Sequence, residues 1–94
     1  MATLTKGHIA KVISEKTGFQ RKKSVELVET LIELIKDRLA SGEDVLISGF
    51  GKFRVRAKKQ RKGRNPATGK DMALKARTIV KFNASGLLRE KLNP

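Results

Sequence analysis

Twelve lysines and arginines lie within residues 52–81, and Asp71 is the only acidic residue in that segment. The rest of the 94-residue chain is close to neutral, although the whole chain has a formal net charge of +13. Nearly all of the excess charge is therefore concentrated in one segment. This concentration of ammonium and guanidinium groups indicates that the partner is a polyanion.

The middle of the basic segment, residues 63–69, reads GRNPATG and is rich in turn-forming residues. Asn65 precedes Pro66 and should be extended, while Gly63 and Gly69 give the backbone freedom on either side. The simpler interpretation of Pro66 is a turn former at the tip of a hairpin. The alternative is an apolar wedge at the end of a cationic arm. Such a wedge inserts between stacked base pairs and kinks duplex DNA at a cost of about a few kcal/mol, offset by phosphate contacts.

The composition predicts one small domain with a lean core. Apolar residues make up 38% of the chain and charged residues 33%, and a domain of this size buries only roughly 60% of its unfolded surface. There are no cysteines to form a disulfide or a thiolate metal site, so we expect a dimer that shares one core. No apolar run approaches the roughly 18 residues of a membrane span, and no export signal is recognisable, so a cytoplasmic location is expected.

The N-terminal half shows helical periodicity. The pattern predicts a helix over residues 6–17, capped by Thr5 and ended by Gly18, and a longer helix over residues 21–41, ended by Gly42. The apolar stripe of the second helix is wider than one contact face needs, which predicts that it packs on two surfaces. The stripe consists of Val25, Val28, Leu31, Ile32, Leu34, Ile35 and Leu39.

From Glu43 onwards the apolar residues recur with a period of two, which indicates strands. A short strand near residues 45–47 precedes a turn at residues 49–51, and two longer strands meet near Asn65 and Pro66. A short helix over residues 85–92 ends the pattern. A body of this size cannot cover the two long strands, so we expect residues 57–76 to project and to be poorly ordered without a ligand. The alternative is a disordered basic loop, which the alternating apolar residues on both sides of the tip argue against.

Residues 49–53 (GFGKF), followed by residues 61–69 (RKGRNPATG), resemble the HU/integration host factor family of bacterial DNA-bending proteins. The resemblance extends over essentially the whole chain. It implies an α+β fold with two N-terminal helices, a three-stranded antiparallel sheet that extends into a long protruding β-ribbon arm, and a short C-terminal helix. It also implies an intertwined dimer.

The resemblance implies a single DNA-binding domain over residues 1–94. Residues 1–42 would form its helical dimerisation part, residues 43–56 and 77–94 the body of the sheet and the C-terminal helix, and residues 57–76 the DNA-binding arm. Ser85 departs from the family pattern, which often has glycine at this position.

The resemblance also implies roles for individual residues. Pro66 matches the intercalating proline, and Arg61, Arg64 and Asn65 match tip residues that contact the minor groove. Arm residues expected at phosphates are Arg56, Lys58, Lys59, Lys70, Lys75 and Arg77, and Gln60 and Lys62 complete the DNA-binding set of the arm. Body residues expected at phosphates are Lys6, Ser48, Lys81 and Lys91. The expected dimer core comprises Leu31, Leu34, Ile35, Ile47, Phe50, Phe53, Val80 and Phe82.

The implied function is architectural. Paired arms would bind double-stranded DNA through the minor groove and bend it, which compacts DNA and assists recombination, replication and transcription regulation in the cytoplasmic bacterial nucleoid. Residues 48–51, with Gln60 and Arg77, resemble the integration host factor branch of the family more than the HU branch. The partner chain is therefore either a second copy or a related beta-type chain. No cofactor, metal, small-molecule substrate or membrane is implied.

Other classes of function explain fewer residues. An RNA-binding or ribosome-associated basic protein is the main alternative. However, Lys52 stands where an RNA-recognition signature has an aromatic residue, and the chain has four Phe but no Tyr or Trp. An enzyme is disfavoured because His8 is the only histidine and has no neighbouring residue in the sequence that suggests a metal or a nucleophile. A membrane-surface protein would carry its basic residues on an amphipathic helix rather than on a ribbon.

Overall fold

The computed structural model describes residues 2–59, 61–64, 69, 71–74 and 76–94. This part of the chain contains three helices and five strands, so the predicted α+β class is confirmed. The chain divides into two compact units, Met1–Arg38 and Leu39–Pro94. Among the described residues, no helix is both long and apolar enough to cross a membrane.

The first unit holds helix α1, Lys6–Thr17, and most of helix α2, Arg21–Ala40. The Thr5 hydroxyl accepts a hydrogen bond from the His8 N–H at 3.3 Å, and it satisfies one of the donors that a helix start leaves free. Gly18 ends the helix with φ at 77°, in the left-handed region that favours glycine. Both predicted ends of α1 are confirmed.

Helix α2 ends at Ala40, one residue earlier than predicted, because the chain leaves the helix in a turn that is hydrogen-bonded at Gly42. The Gly42 N–H donates to the Leu39 carbonyl at 3.0 Å, with φ of Gly42 at 92°. The residues of the apolar stripe differ in exposure, and the predicted packing of α2 on a second surface stays a prediction. Val28 is only 6% exposed, whereas Leu31 is 57% exposed and faces solvent in the single chain.

The second unit is built on an antiparallel sheet in the order β1-β2-β5, with a two-stranded continuation, β3-β4. The turn between β1 and β2 lies at residues 48–50, one residue earlier than predicted, and Gly49 has φ at 78° there. The strands are β1 Val45–Ile47, β2 Gly51–Lys58, β3 Arg61–Arg64, β4 Asp71–Leu74 and β5 Arg77–Ala84. We call β2 to β5 the ribbon.

The ribbon keeps one register across both ladders. Lys58 pairs with Arg77 at the end of the first ladder, and Arg61 pairs with Leu74 at the start of the second. Two residues on each strand separate these pairs, so no residue is inserted on one side alone. This pairing agrees with the two long strands predicted from the sequence. The last pair, Arg64 with Asp71, leaves residues 65–70 as the connection.

Helix α3, Gly86–Leu92, follows the ribbon and begins one residue later than predicted. Ser85 is its N-cap, with the hydroxyl accepting a hydrogen bond from the Leu88 N–H at 3.0 Å. The serine that departs from the family pattern therefore has a structural role, because serine is a favourable N-cap residue.

Candidate nucleic-acid interface

The register of the sheet sorts its side chains into two faces. Residues that face each other across an antiparallel pair lie on the same side, and successive residues alternate. Phe53 pairs with Phe82 on one side, and Arg54 pairs with Lys81 on the other. The apolar face comprises Val45, Ile47, Gly51, Phe53, Val55, Ala57, Thr78, Val80, Phe82 and Ala84. The cationic face comprises Leu46, Lys52, Arg54, Arg56, Lys58, Arg77, Ile79, Lys81 and Asn83.

The apolar face contains an aromatic cluster. The ring centroid of Phe82 lies 5.1 Å from that of Phe50 and 4.9 Å from that of Phe53. Gly51 lies directly beneath the Phe82 ring, where any side chain would collide with it. Phe82 nevertheless remains 43% exposed and Phe50 45% exposed, so the single chain does not cover the cluster.

The residues predicted for a dimer core share this property. They lie on β1, β2, β5 and α2 and, for Phe50, in the β1–β2 turn, and none of them is fully buried in the single chain. Among the described residues, Ala10 (0% exposed) and Val28 (6% exposed) are the only buried residues with an apolar side chain. The sites that the sequence assigned to a shared core are therefore apolar and incompletely covered.

The cationic face is electrostatically unbalanced. Among the described carboxylates, Asp44 is the only one paired with a cation of this face, and it lies 3.9 Å from the Lys52 ammonium. On β2 the cations recur at every second residue, roughly 6.7 Å apart, and the two cations of β5 lie opposite Arg54 and Lys58 on a strand about 4.8 Å away. The result is an elongated strip of positive charge, a pattern that suits an extended polyanion better than one small anion. The cations without a described carboxylate partner are Arg54, Arg56, Lys58, Arg77 and Lys81.

The structure brings only some of the predicted DNA-contact residues together. Four lie on the cationic face, namely Arg56, Lys58, Arg77 and Lys81. Lys59 follows β2, the backbone of β3 carries Arg61, Lys62 and Arg64, Ser48 lies in the β1–β2 turn, and Lys91 lies in α3. Lys6 begins α1, where its ammonium is 3.9 Å from the Glu29 carboxylate. The remaining predictions, on Gln60, Asn65, Pro66, Lys70 and Lys75, lie outside the described residues, and the projection and poor order expected of residues 57–76 without a ligand stay a prediction.

Two residues at this surface are not among those predicted from the sequence. Arg54 was not assigned to the interface, although it alternates in phase with Arg56 and Lys58 on β2. That phase is the signal by which the sequence alone identifies it. Asp44 was also missed, because its contacts with β2 depend on strand pairing rather than on any local motif.

No catalytic or metal centre is found in the part of the chain that the structure describes. His8 lies in the first turn of α1, where its backbone N–H bonds the Thr5 cap. No group of three His, Cys, Asp or Glu residues among the described positions is close enough to hold a metal ion.

An α+β fold with a cationic ribbon is typical of DNA-binding architectural proteins, and comparison with known proteins agrees. The family of bacterial DNA-binding proteins matches residues 4–93. Integration host factor subunit alpha of Polaromonas naphthalenivorans is 45% identical over 89 residues, covering 95% of this chain and 72% of that protein. The corresponding subunit of Erythrobacter litoralis is 45% identical over 92 residues, covering 98% and 92%.

Solved structures give the same assignment. An Anabaena HU–DNA cocrystal structure aligns with a TM-score of 0.82 and 34% identity, covering 97% of this chain and 99% of that one. An HU variant from Thermotoga maritima aligns with a TM-score of 0.70 and 28% identity, covering 96% and 100%. The chain belongs to the HU/integration host factor family of bacterial DNA-binding proteins. It is an architectural DNA-binding protein and not an enzyme.

Proposed function

We propose that this protein binds double-stranded DNA in the minor groove with its ribbon, and bends the duplex by inserting Pro66 between base pairs. It acts as one chain of a dimer in the bacterial nucleoid, where it compacts DNA and assists recombination, replication and transcription regulation. The observation that carries this proposal is the set of cations on one face of the ribbon, of which only Lys52 has a carboxylate partner among the described residues. The relative from Anabaena, which was solved with DNA, supports the same partner.

The phosphate-binding set is drawn from the cationic face. Phosphate contacts supply most of the affinity of such proteins, because each neutralised phosphate releases counterions. The face carries cations at every second residue of β2 and two more on the paired strand β5, so both strands can engage one polyanion at once. The proposed set is Arg54, Arg56, Lys58, Arg77 and Lys81, extended by the basic residues of the ribbon beyond Lys58.

The distribution of aromatic residues favours duplex DNA over single-stranded RNA. Phe50, Phe53 and Phe82 form the cluster on the apolar side of the sheet. Phe19 belongs to the other unit, where the Lys23 ammonium lies 4.3 Å from the centre of its ring. None of the four phenylalanines of the chain is thus among the residues of the cationic face. Single-stranded binders stack bases on aromatic side chains, which this face does not offer.

The wedge is assigned to Pro66 by its position in the sequence and by family membership. The pairing of Arg64 with Asp71 leaves Pro66 within the connection at the end of the ribbon. An apolar ring there can unstack a base step while the cations along the ribbon hold the bent duplex.

A partner chain is proposed because the single chain leaves its apolar face exposed. Val80 is 48% exposed and Phe82 is 43% exposed, on a sheet whose other face is cationic. A monomer with so few buried apolar side chains has little hydrophobic stabilisation. The partner is a second copy of this chain or a beta-type chain of the same family, which would cover this face with its own apolar surface.

The test of bending is end-to-end energy transfer on a duplex of about 35 base pairs with dyes at both ends. We expect transfer to rise and saturate with the parent protein. Pro66→Ala should bind within about threefold of the parent, because the charge is unchanged, but should raise transfer much less. Pro94→Ala removes the other proline of the chain and should behave as the parent.

Each component of the proposal has its own contrary outcome. Equal transfer for Pro66→Ala and the parent would remove the wedge, and binding without any rise would remove bending. Tighter binding to single-stranded RNA of matched length would favour the RNA-binding alternative.

If a dimer neutralises about 8–10 phosphates, log affinity should fall against log salt with a slope of roughly −7 to −9. A slope near −2 would contradict contact along the whole ribbon.

The test of assembly is the mass in solution. Sedimentation equilibrium should give twice the chain mass of 10.4 kDa for a homodimer. A chain that dimerises only when a beta-type family member is added would identify the heterodimer. A stable monomer in both experiments would contradict the shared core.

A further inference from the structure

Asp44 makes two contacts with strand β2, one with each carboxylate oxygen. Its Oδ1 accepts a hydrogen bond from the Val55 N–H at 2.9 Å. Its Oδ2 lies 3.9 Å from the Lys52 ammonium. The carboxylate thus spans from the main chain of the ribbon to a side chain of the cationic face.

The contact with Val55 lies where the sheet changes from three strands to two. Strand β1 begins at Val45, whose partner on β2 is Phe53, so β1 pairs no further along β2. Val55, two residues on, continues only in the pairing of β2 with β5. The Val55 N–H points to the side of β2 on which β1 lies, but β1 has no residue there to accept it. The Asp44 carboxylate supplies the acceptor. A carboxylate acceptor makes a stronger hydrogen bond to an N–H than a neutral group does.

The second contact changes the charge pattern of the face. Lys52 is the first cation of the β2 row, which continues with Arg54 and Arg56. The hydrogen bond from Val55 fixes the Asp44 side chain, so the carboxylate is held next to Lys52 without further ordering. Within the described chain, Lys52 is therefore the member of the row that already has a counter-charge.

We infer that Asp44 is a positioning residue of the cationic face. It anchors β2 at the point where the ribbon leaves the three-stranded sheet, and it withholds Lys52 from the cations that neutralise phosphate. The first role stands on the structure alone, and the second rests on the proposed function. Phosphate contact along this row consequently begins at Arg54 and not at Lys52.

The charge role is tested by the salt dependence of binding to duplex DNA, with matched variants on one strand. Arg54→Gln should reduce the slope of log affinity against log salt by about 0.9 per chain. Lys52→Gln, which also removes one positive charge from the same face, should change it by less than half as much. Asp44→Asn should steepen the slope by up to about 0.9 per chain, since it frees Lys52. Lys52→Gln in the Asp44→Asn background should abolish that gain.

The anchoring role is tested by amide hydrogen exchange at Val55. Asp44→Asn keeps a side-chain oxygen as acceptor and should leave exchange within about threefold of the parent, whereas Asp44→Ala should accelerate it about fivefold or more. The Lys81 amide on β5, which lies opposite Arg54 of β2 in a hydrogen-bonded pair, serves as the control for the integrity of the sheet, and it should be unchanged in both variants.

The two roles fail separately. Equal losses of slope for Lys52→Gln and Arg54→Gln in the parent background would overturn the charge role. Unchanged Val55 exchange in Asp44→Ala would overturn the anchor. If the parent shows no salt-dependent affinity for duplex DNA, the proposed function fails, whereas the exchange experiment still decides the anchor.

Discussion

The apolar and cationic faces of the ribbon are made by alternate residues of the same strands, and each is incomplete for a different reason. Phe53 and Phe82 are apolar groups that the single chain leaves partly in water. Arg54 and Lys81 are charges without a described counter-charge. In the proposed function, a partner chain excludes water from the first face and the phosphates of DNA balance the charge of the second. A strand with a period of two can therefore serve two partners at once.

The helical unit uses the same kinds of charged residue differently. Lys36 donates to the Glu33 carboxylate at 2.9 Å, and Lys6 lies 3.9 Å from Glu29. These two cations each have a carboxylate close by, within a turn or on the other helix, whereas on the cationic face of the ribbon Lys52 is the only cation with a described carboxylate partner. Ion pairing therefore differs between the two regions more than the kinds of charged residue do.

The largest expected effect is on the apolar face. Phe82→Ala removes the ring that contacts both Phe50 and Phe53, and should cost about 3–5 kcal/mol if a partner chain completes its burial. Denaturant unfolding at several protein concentrations measures the loss. Phe19→Ala, in the helical unit, is the control and should cost less than half as much. Equal losses would show that the aromatic cluster has no special part in assembly.

Overfilling the same face should have the next largest effect. In Gly51→Ala the new Cβ would lie 2.6 Å from the Asn83 carbonyl oxygen and against the Phe82 ring. A backbone carbonyl cannot move aside, so we expect a loss of about 1–3 kcal/mol in unfolding free energy. Gly86→Ala meets no atom within 4 Å and should be close to neutral. A neutral Gly51→Ala would show that β2 and β5 can separate without cost.

The cationic face should respond in DNA affinity rather than in stability. Lys81→Gln and Lys36→Gln each remove one positive charge. The first removes it from the cationic face, and the second removes it from an ion pair within α2. Lys81→Gln should reduce the salt slope by about 0.9 per chain, whereas Lys36→Gln should leave it unchanged. Fluorescence anisotropy at four or more salt concentrations measures both. Equal changes would mean that net charge, and not its placement, determines binding.

The smallest expected effect is the pH dependence of the helical unit. The hydrogen bond and charge of Lys36 hold the pKa of the Glu33 carboxyl below its usual 4.5. Because the folded pKa is lowered, this stabilisation is present above the unfolded pKa and is lost as the pH falls through the folded value. Glu33→Gln should slightly flatten the acid decline of the melting temperature, and screening keeps the change small. An unchanged acid limb would show that the pair contributes nothing measurable.

Much of the local structure could be predicted from neighbouring residues. Thr5 and Gly18 bound α1 because capping depends on groups only a few positions apart. The two faces of the ribbon follow from alternation along each strand, and the family motif at residues 49–53 and 61–69 indicates the DNA-binding class. The alternation of cations along β2 includes Arg54, although this residue is not among the predicted DNA contacts.

Other features depended on strand pairing. The register of Phe53 with Phe82 places the ring over Gly51, and no local pattern reports that contact. The contact of Asp44 with Val55 joins residues 11 positions apart.

The sequence by itself determined the ends of the helices to within one residue, which residues alternate, where charge is concentrated and which family the chain resembles. These depend on short-range sterics, capping and composition, which act between residues close along the chain. Only the tertiary structure decided which cations of β2 and β5 lie opposite each other, which cation already has a carboxylate, and which aromatic rings meet. Those contacts arise when distant strands are brought into one register, and the sequence states that register only indirectly.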